Sequence, residues 1–189
     1  MKLIGRNRLV TRGQLHGLSL VEFDDEVSMA ISAFKESGQF AIANLLVARL
    51  LTEQSQHILR GLEATLAVAL PSSKVSFAKR GFTPAEIVAK AVCKRLDLPM
   101  FRQALWLDRV TADQASLDIQ GRASNLVGAM KASELISGRR VLLVDDIVTT
   151  GASVIEAARA VREAGAEPVG FFTIAETILR NAPRNSFKV

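Results

Sequence analysis

Two adjacent carboxylates, Asp145 and Asp146, stand just upstream of the run Thr149-Thr150-Gly151-Ala152-Ser153. The acids cannot bind an anion, but they can accept hydrogen bonds from sugar hydroxyls or hold the waters of a divalent cation. The small-residue run offers the opposite chemistry. Gly151 lets the backbone turn sharply, and successive N–H groups leading into a helix N-terminus form a concave anion site. The hydroxyls of Thr149, Thr150 and Ser153 can add donors to a phosphate. Acids and cradle together describe a site for a phosphorylated sugar. The plainer reading of the same residues is an ordinary strand-to-helix turn in which Ser153 only caps the helix.

The flanking sequence must hold these residues in place. Val141, Leu142, Leu143 and Val144 form a continuous apolar run, as in a parallel strand buried on both faces. After Ser153 an amphipathic helix is expected, with Val154, Ile155, Ala157, Ala158 and Val161 inward and Glu156, Arg159, Arg162 and Glu163 toward water. Gly165 lies where a C-terminal cap is wanted, and Pro168 opens the next apolar run. A receiver domain opens on its acid pair, whereas this pair stands late in the chain. The G-x-x-x-x-G-K-[ST] spacing of a P-loop does not occur.

A chain of 189 residues with 49% hydrophobic and 23% charged residues is expected to fold as one soluble domain, spanning about residues 18–177, with its own core. The single Cys93 excludes a disulfide framework and falls in an apolar helical pattern. The most apolar stretch, Phe40 to Leu51, is interrupted by Asn44 and Arg49. With neither a span nor a signal peptide visible, a cytoplasmic location is expected. The net charge of +5 is unevenly placed. Lys2, Arg6, Arg8 and Arg12 in residues 1–17, and Arg180, Arg184 and Lys188 in residues 178–189, have no acid beside them. The body between these tails is left with 17 basic and 19 acidic residues. Single-stranded nucleic acid along the tails is therefore a candidate partner, and solubilising ends are the alternative.

Along the chain, residues 1–17 show no periodicity and are expected to be poorly ordered. Asp24, Asp25 and Glu26 open a helix that runs through Ser37, with Met29, Ile31 and Phe34 as its apolar face; Gly38 breaks it, and a second helix runs from Ala41 to about Gln54. Thr65 to Leu70 reads as a buried strand. It ends at Pro71-Ser72-Ser73-Lys74, and a basic loop continues to Lys79-Arg80-Gly81-Phe82 before a helix from Pro84 to Leu96. Beside a phosphate cradle, Lys74, Lys79 and Arg80 can clamp a pyrophosphate; otherwise they are a solvated loop. Met100 to Leu107 reads as a strand, with Trp106 in the core or against a lid. The polar run Asp108 to Asn125 has the length of a functional lid and carries Arg109 and Arg122 as its only cations. A turn of helix at Ser133–Ser137 and a last strand at Val169–Ile174 complete the pattern. His16 and His57 have no candidate ligand beside them in sequence.

The apolar strand, two acids and T-T-G-x-[ST] resemble the phosphoribosyl-pyrophosphate (PRPP) signature of type I phosphoribosyltransferases. A second resemblance covers about residues 20–175. Arg109-x-Thr111-x-x-Gln114-x-x-Leu117-x-x-x-x-Arg122-x-x-Asn125-x-x-Gly128-Ala129 is similar to the lid pattern of the ComF family of phosphoribosyltransferase-like proteins. Arg80-Gly81-Phe82 with Ala85-Glu86 resembles that family's R-G-F-N-Q-A-E, and Phe34-Lys35 with Gly38 resembles its early F/L-K-x-x-G. There are departures. The family's cysteine-rich zinc module has no counterpart here, so zinc is not expected; its P-V-P stands as Ala69-Leu70-Pro71, and its N-Q as Thr83-Pro84.

The resemblance implies an α/β fold of the type I phosphoribosyltransferase kind: a twisted, mainly parallel sheet flanked by helices, a flexible lid, and ligand beyond the strands' carboxyl ends. It implies that Asp145 and Asp146 accept from the ribose hydroxyls, that Thr149, Thr150, Gly151, Ala152 and Ser153 hold the 5′-phosphate, and that Pro71, Ser72, Ser73 and Lys74, with Lys79 and Arg80 close by, face pyrophosphate. Arg109 would descend with the lid. Mg²⁺ would be held chiefly by PRPP and water, with no direct protein ligand. The implied partner is PRPP or another ribose-5-phosphate compound, and a homodimer is a further candidate. Two function classes follow: a Mg²⁺-dependent transferase with an unidentified acceptor, or a non-catalytic PRPP- or nucleotide-binding protein serving DNA uptake or nucleic-acid handling.

Overall fold

The computed structural model of the protein describes residues 7–108 and 126–177. Its strands in chain order are β1 (Arg8–Arg12), β2 (Leu15–Glu22), β3 (Leu66–Ala69), β4 (Leu105–Leu107), β5 (Met130–Ala132), β6 (Arg140–Val144), β7 (Ile147–Val148) and β8 (Glu167–Glu176). Its helices are α1 (Asp25–Ser37), α2 (Phe40–Leu50), α3 (Glu53–Gly61), α4 (Lys74–Arg80), α5 (Pro84–Leu96) and α6 (Ala152–Glu163). One sheet has the order β1-β2-β8-β6-β3, with β7 also on β8; only the β1–β2 pair in it is antiparallel. This is the mainly parallel, helix-flanked sheet expected. A separate ribbon pairs β4 with β5.

The period of two along β6 divides the core. Leu142 and Val144 join Phe172, Ile174 and the apolar faces of α1, α2, α3 and α5 on one side. Val141 and Leu143 join Phe171, Leu66, Val68 and the inner face of α6 on the other. Because β2, β3, β6 and β8 run parallel, their carboxyl ends share one edge, and the segments after β3 and β6 emerge side by side. No helix among the described residues is long and apolar enough to cross a membrane.

Several sequence expectations need correction. Residues 8–17 are ordered: Val10 and Leu15 turn inward, Leu9 and Thr11 outward, and a turn at Gly13 closes the β1–β2 hairpin. The strands are too short for a period to stand out, and the arginines masked them. Met29 is exposed, and Val27 takes its place on the buried face of α1. The second helix stops at Leu50, because Thr52 caps a separate helix α3 by accepting from Ser55 N–H. Lys74 to Arg80 is a short helix capped by Ser73, not a loop. The strand expected over Met100–Leu107 divides into a bridge from Met100 to Ala67 and the short β4, where Trp106 is 42% exposed rather than in the core. In α6, Ile155 is exposed and Glu156 buried, the reverse of the amphipathic reading. Arg109, Arg122 and the rest of the expected lid beyond Asp108, together with residues 1–6 and 178–189, lie outside the described residues.

Candidate sugar-phosphate site

Strand β6 ends at Val144, and the next two residues leave the sheet in an ordered way. Asp145 N–H donates to Phe172 C=O at 3.0 Å, and Asp146 C=O accepts from Ile174 N–H at 3.0 Å. Asp146 N–H closes onto Asp145 Oδ1 at 2.8 Å. The chain then makes the two-residue strand β7, turns through Thr149 and Thr150, and enters α6 after Gly151, whose φ of +85° lies in the left-handed region. Thr150 Oγ1 accepts from Ala152 N–H at 3.3 Å, and Gly151 C=O accepts the first helical bond, from Ile155 N–H. An open pocket beside this turn is lined by Asp145, Ile147, Val148, the whole run Thr149 to Ser153, and Leu126 and Val154. The predicted cradle thus forms one wall with one of the two acids.

The other acid is placed differently. Asp146 is 7% exposed, and its Oδ2 lies 2.5 Å from Lys35 Nζ at the end of α1. The two carboxylates therefore divide: Asp145 borders the pocket, while Asp146 turns to a cation from the opposite layer. Burial and then the Asp146 charge push the Asp145 carboxyl well above the usual carboxylate range, with Lys35 pulling the other way. Lys35 carries the structural part of the family-like F-K-x-x-G segment, but nothing in that segment assigns it to the acid pair. Only the fold brings residues 35 and 146 together.

The pyrophosphate candidates stand at the same edge of the sheet. Leu70 N–H donates to Val144 C=O at 2.9 Å, so Pro71, Ser72 and Ser73 leave β3 beside the start of the acid pair. Ser73 spends its hydroxyl oxygen on the cap of α4, accepting from Ser76 N–H at 3.1 Å. Lys74 is exposed. Lys79 turns toward α1 and pairs with Glu36 at 3.0 Å. The Nε of the half-buried Arg80 is enclosed without a hydrogen-bond partner among the described residues. Pro71 to Lys74 are thus brought beside the acids, whereas Lys79 faces another helix.

Three residues that the sequence assigned to other roles, Arg12 to a basic tail and Glu156 and Arg159 to the outer face of a helix, support the cradle and its helix from behind. Arg12 donates from Nε to Thr149 C=O at 3.0 Å. On α6, buried Glu156 accepts from Met130 N–H at 2.9 Å and pairs with Arg159, which also donates to Met130 C=O at 2.6 Å. Burial raises the Glu156 carboxyl, but Arg159 and the N–H groups of Met130 and Gly128 outweigh it and hold the group below the usual carboxylate range. These contacts bind the helix behind the cradle to the segment that follows the expected lid.

Among the described residues no three His, Cys, Asp or Glu side chains converge as a metal site. The carboxylate bordering the pocket is Asp145, a donor set that suits an ion carried in by ligand phosphates and water rather than one caged by protein. Residues 75–186 match the phosphoribosyl transferase domain. The chain is 27% identical over 168 residues to the DNA utilization protein YhgH of Escherichia coli O157:H7, covering 85% of this chain and 72% of that protein. It is 27% identical over 158 residues to Competence protein F of Haemophilus influenzae, covering 80% and 68%. Among solved structures, adenine phosphoribosyltransferase from Thermoanaerobacter pseudethanolicus is 14% identical, with 90% of this chain and 83% of that chain covered and a TM-score of 0.46.

Proposed function

As the chain belongs to the phosphoribosyl transferase domain family and is ComF-like within it, we propose that it binds PRPP with Mg²⁺ and transfers the ribose-5-phosphate to an acceptor, releasing pyrophosphate. The observation that carries this reading is the pocket at the carboxyl end of β6, where Asp145 and the run Thr149 to Ser153 share one wall. Thr149 to Ser153 receive the 5′-phosphate through backbone N–H groups and hydroxyls. Asp145 accepts from the ribose hydroxyls and faces the positive charge that develops on the ring as the C1–O bond breaks. Pro71 to Lys74, with Arg80 behind them, receive the pyrophosphate. Mg²⁺, when bound, neutralises charge on the leaving group. Asp146 acts through Lys35, which holds it in place and limits the negative charge beside the ribose.

Calorimetry with PRPP and Mg²⁺ tests this, comparing wild type with Asp145→Asn. The expected result is tight binding that the substitution weakens at least tenfold; equal affinities overturn the role given to Asp145. A screen of purine, pyrimidine and amine acceptors for pyrophosphate release then tests turnover.

A second reading is favoured by two observations. The relatives are named for DNA utilization and competence, and the Lys35–Asp146 pair leaves Asp145 as the one acid of the pair not facing a cation among the described residues. On this reading the protein binds PRPP or a nucleotide without turning it over and serves DNA uptake. Arg8 and Arg12 are then poor candidates for holding a polyanion, since Arg8 is ion-paired to Glu22 and Glu176 and Arg12 to Glu176. Truncation of residues 178–189 should remove salt-dependent single-strand binding if that tail carries it. Binding of PRPP without pyrophosphate release in any acceptor screen favours this second reading.

A further inference from the structure

We propose that Arg12 is a positioning residue for the phosphate-binding turn, and that the β1–β2 hairpin exists in part to deliver it; this rests on the reading of Thr149 to Ser153 as the 5′-phosphate site. The Arg12 side chain is 12% exposed, unusually low for an arginine on an edge strand. Its methylene stem lies across Gly151: a Cβ placed on Gly151 would stand 2.5 Å from Arg12 Cγ and 2.6 Å from its Cβ and Cδ. Its guanidinium donates from Nε to Thr149 C=O at 3.0 Å and from Nη1 to Thr11 C=O at 3.0 Å. Nη2 lies 3.4 Å from Glu176 Oε2.

Glu176 makes this a built arrangement. Its side chain is 8% exposed, and its other oxygen lies 2.5 Å from Arg8 Nε, so one carboxylate anchors two arginines of the hairpin. Residue 176 is also the β8 partner of Val148, the residue before the turn, and Thr177 N–H bonds to Val148 C=O. The hairpin touches the site a second time where the Gly13 turn meets Ile155, in the first turn of α6.

The consequence for ligand follows from peptide geometry. In a trans peptide, C=O and the next N–H point in opposite directions. A bond that draws Thr149 C=O toward Arg12 therefore turns Thr150 N–H away from the hairpin. It also removes a carbonyl dipole that would otherwise oppose an anion. The buried carboxylate of Glu176 offsets the Arg12 charge, so Arg12 acts by direction more than by adding positive potential.

Arg12→Met keeps an apolar stem over Gly151 and deletes the donors. Its binding of PRPP with Mg²⁺ should fall about tenfold, the weight of one charge-assisted hydrogen bond. Binding of inorganic pyrophosphate, assigned to Pro71–Lys74, should stay within about twofold. Arg12→Lys, which keeps stem and charge without the fork, should recover only part of the loss, and Glu176→Gln should repeat the loss more weakly. Unchanged PRPP affinity in Arg12→Met, or equal losses for PRPP and pyrophosphate, overturns the proposal. Amide exchange over residues 149–155 without ligand supplies an independent measure. At least tenfold faster exchange in Arg12→Met supports the positioning role, and unchanged exchange overturns it. A wild-type protein that binds neither PRPP nor ribose 5-phosphate defeats the phosphate-site reading itself, and the exchange measurement still judges Arg12.

Discussion

The two strand-turn-helix units at the carboxyl edge of the sheet are built in opposite ways. After β6, the turn is enclosed: Gly151 lies under the Arg12 stem, Asp146 is held by Lys35, and α6 buries Val154, Glu156, Ala157, Ala158, Ala160 and Val161. After β3, the helix α4 has no fully buried residue: Ser76 and Arg80 are half-buried, and Lys74, Val75, Phe77 and Lys79 are exposed. The first unit offers backbone N–H groups, whose directions must be fixed before a ligand arrives. The second offers ammonium groups on flexible stems, which act as point charges and find their own geometry. Order is concentrated in the unit whose backbone is the proposed binding group. Substitutions in the two units should therefore differ in what they damage.

Glu156→Ala should show the largest effect. It leaves Met130 N–H without its partner and takes from Arg159 its buried carboxylate, with only Met130 C=O and the exposed Glu163 remaining to that guanidinium, and a loss of about 3 kcal/mol is expected in urea unfolding. Because the fold holds this carboxyl below its usual range, the ionised group stabilises above the ordinary carboxylate pKa. That contribution disappears as pH falls through the folded-state value, so the gap between wild type and variant should narrow in acid. A constant gap from neutral to acid pH would mean that packing, not the charge, supplies the stability.

The two glycines give a closer comparison, since Gly151 and Gly81 both have positive φ, +85° and +75°. A methyl group at Gly81 meets nothing within 4 Å, whereas one at Gly151 meets Arg12. Gly81→Ala should cost about 1 kcal/mol from backbone conformation alone. Gly151→Ala should cost about 2–3 kcal/mol, because it adds displacement of a half-buried side chain to that term. Equal losses in thermal unfolding would show that Arg12 yields freely and that the first unit is less enclosed than its contacts suggest.

The enclosed unit was the more legible of the two in the sequence, and the reason is local. The strand Val141–Val144, the acid pair, Gly151 and the helix that follows are contiguous, so period, cap and turn chemistry all bear on one stretch. Pro84–Leu96 was equally plain, with proline at its start and a smooth helical period. What could not be read is what arrives from elsewhere. Arg12 and Lys35 are ordinary surface cations until the fold sets them against Thr149 and Asp146. Glu156 occupies a position that a two-sided helical wheel assigns to water, and becomes buried only because β5 lies across it. The helix α4 was hidden by its own composition: Lys74, Lys79 and Arg80 read as a basic loop, and the signal present was Ser73 as a cap with Gly81 as a stop.

Asp145→Asn should act more weakly on stability, and in the opposite sense. The fold pushes this carboxyl above its usual range, by burial first and by the Asp146 charge second. The folded protein therefore holds the proton more tightly than the unfolded chain. Ionisation costs stability progressively as pH rises from the ordinary carboxylate value through the folded-state value. Asparagine removes that penalty, so the variant should melt about 3 °C above wild type near neutral pH and at the same temperature in acid. PRPP affinity should fall in the same variant. A stability gain with unchanged affinity would mark Asp145 as strained without a functional reason.

The smallest effect belongs to the open unit. Lys79 pairs with Glu36 across solvent, 71% and 51% of the two side chains being exposed, and such pairs contribute little to folding. Lys79→Ala should therefore leave the unfolding midpoint unchanged. If Lys79 contributes to the ligand at all, it does so through potential, because its ammonium is turned toward α1 rather than the acid pair. PRPP affinity should then fall about twofold at low ionic strength. The difference should vanish near 0.5 M salt, where the screening length is only about 4 Å. Pyrophosphate should show the same pattern, in contrast to Arg12→Met, whose effect should be specific to the 5′-phosphate and persist in salt. A salt-independent loss in Lys79→Ala would mean that α4 swings its lysine onto the ligand, and the contrast between a fixed unit and an electrostatic one would fail at that point.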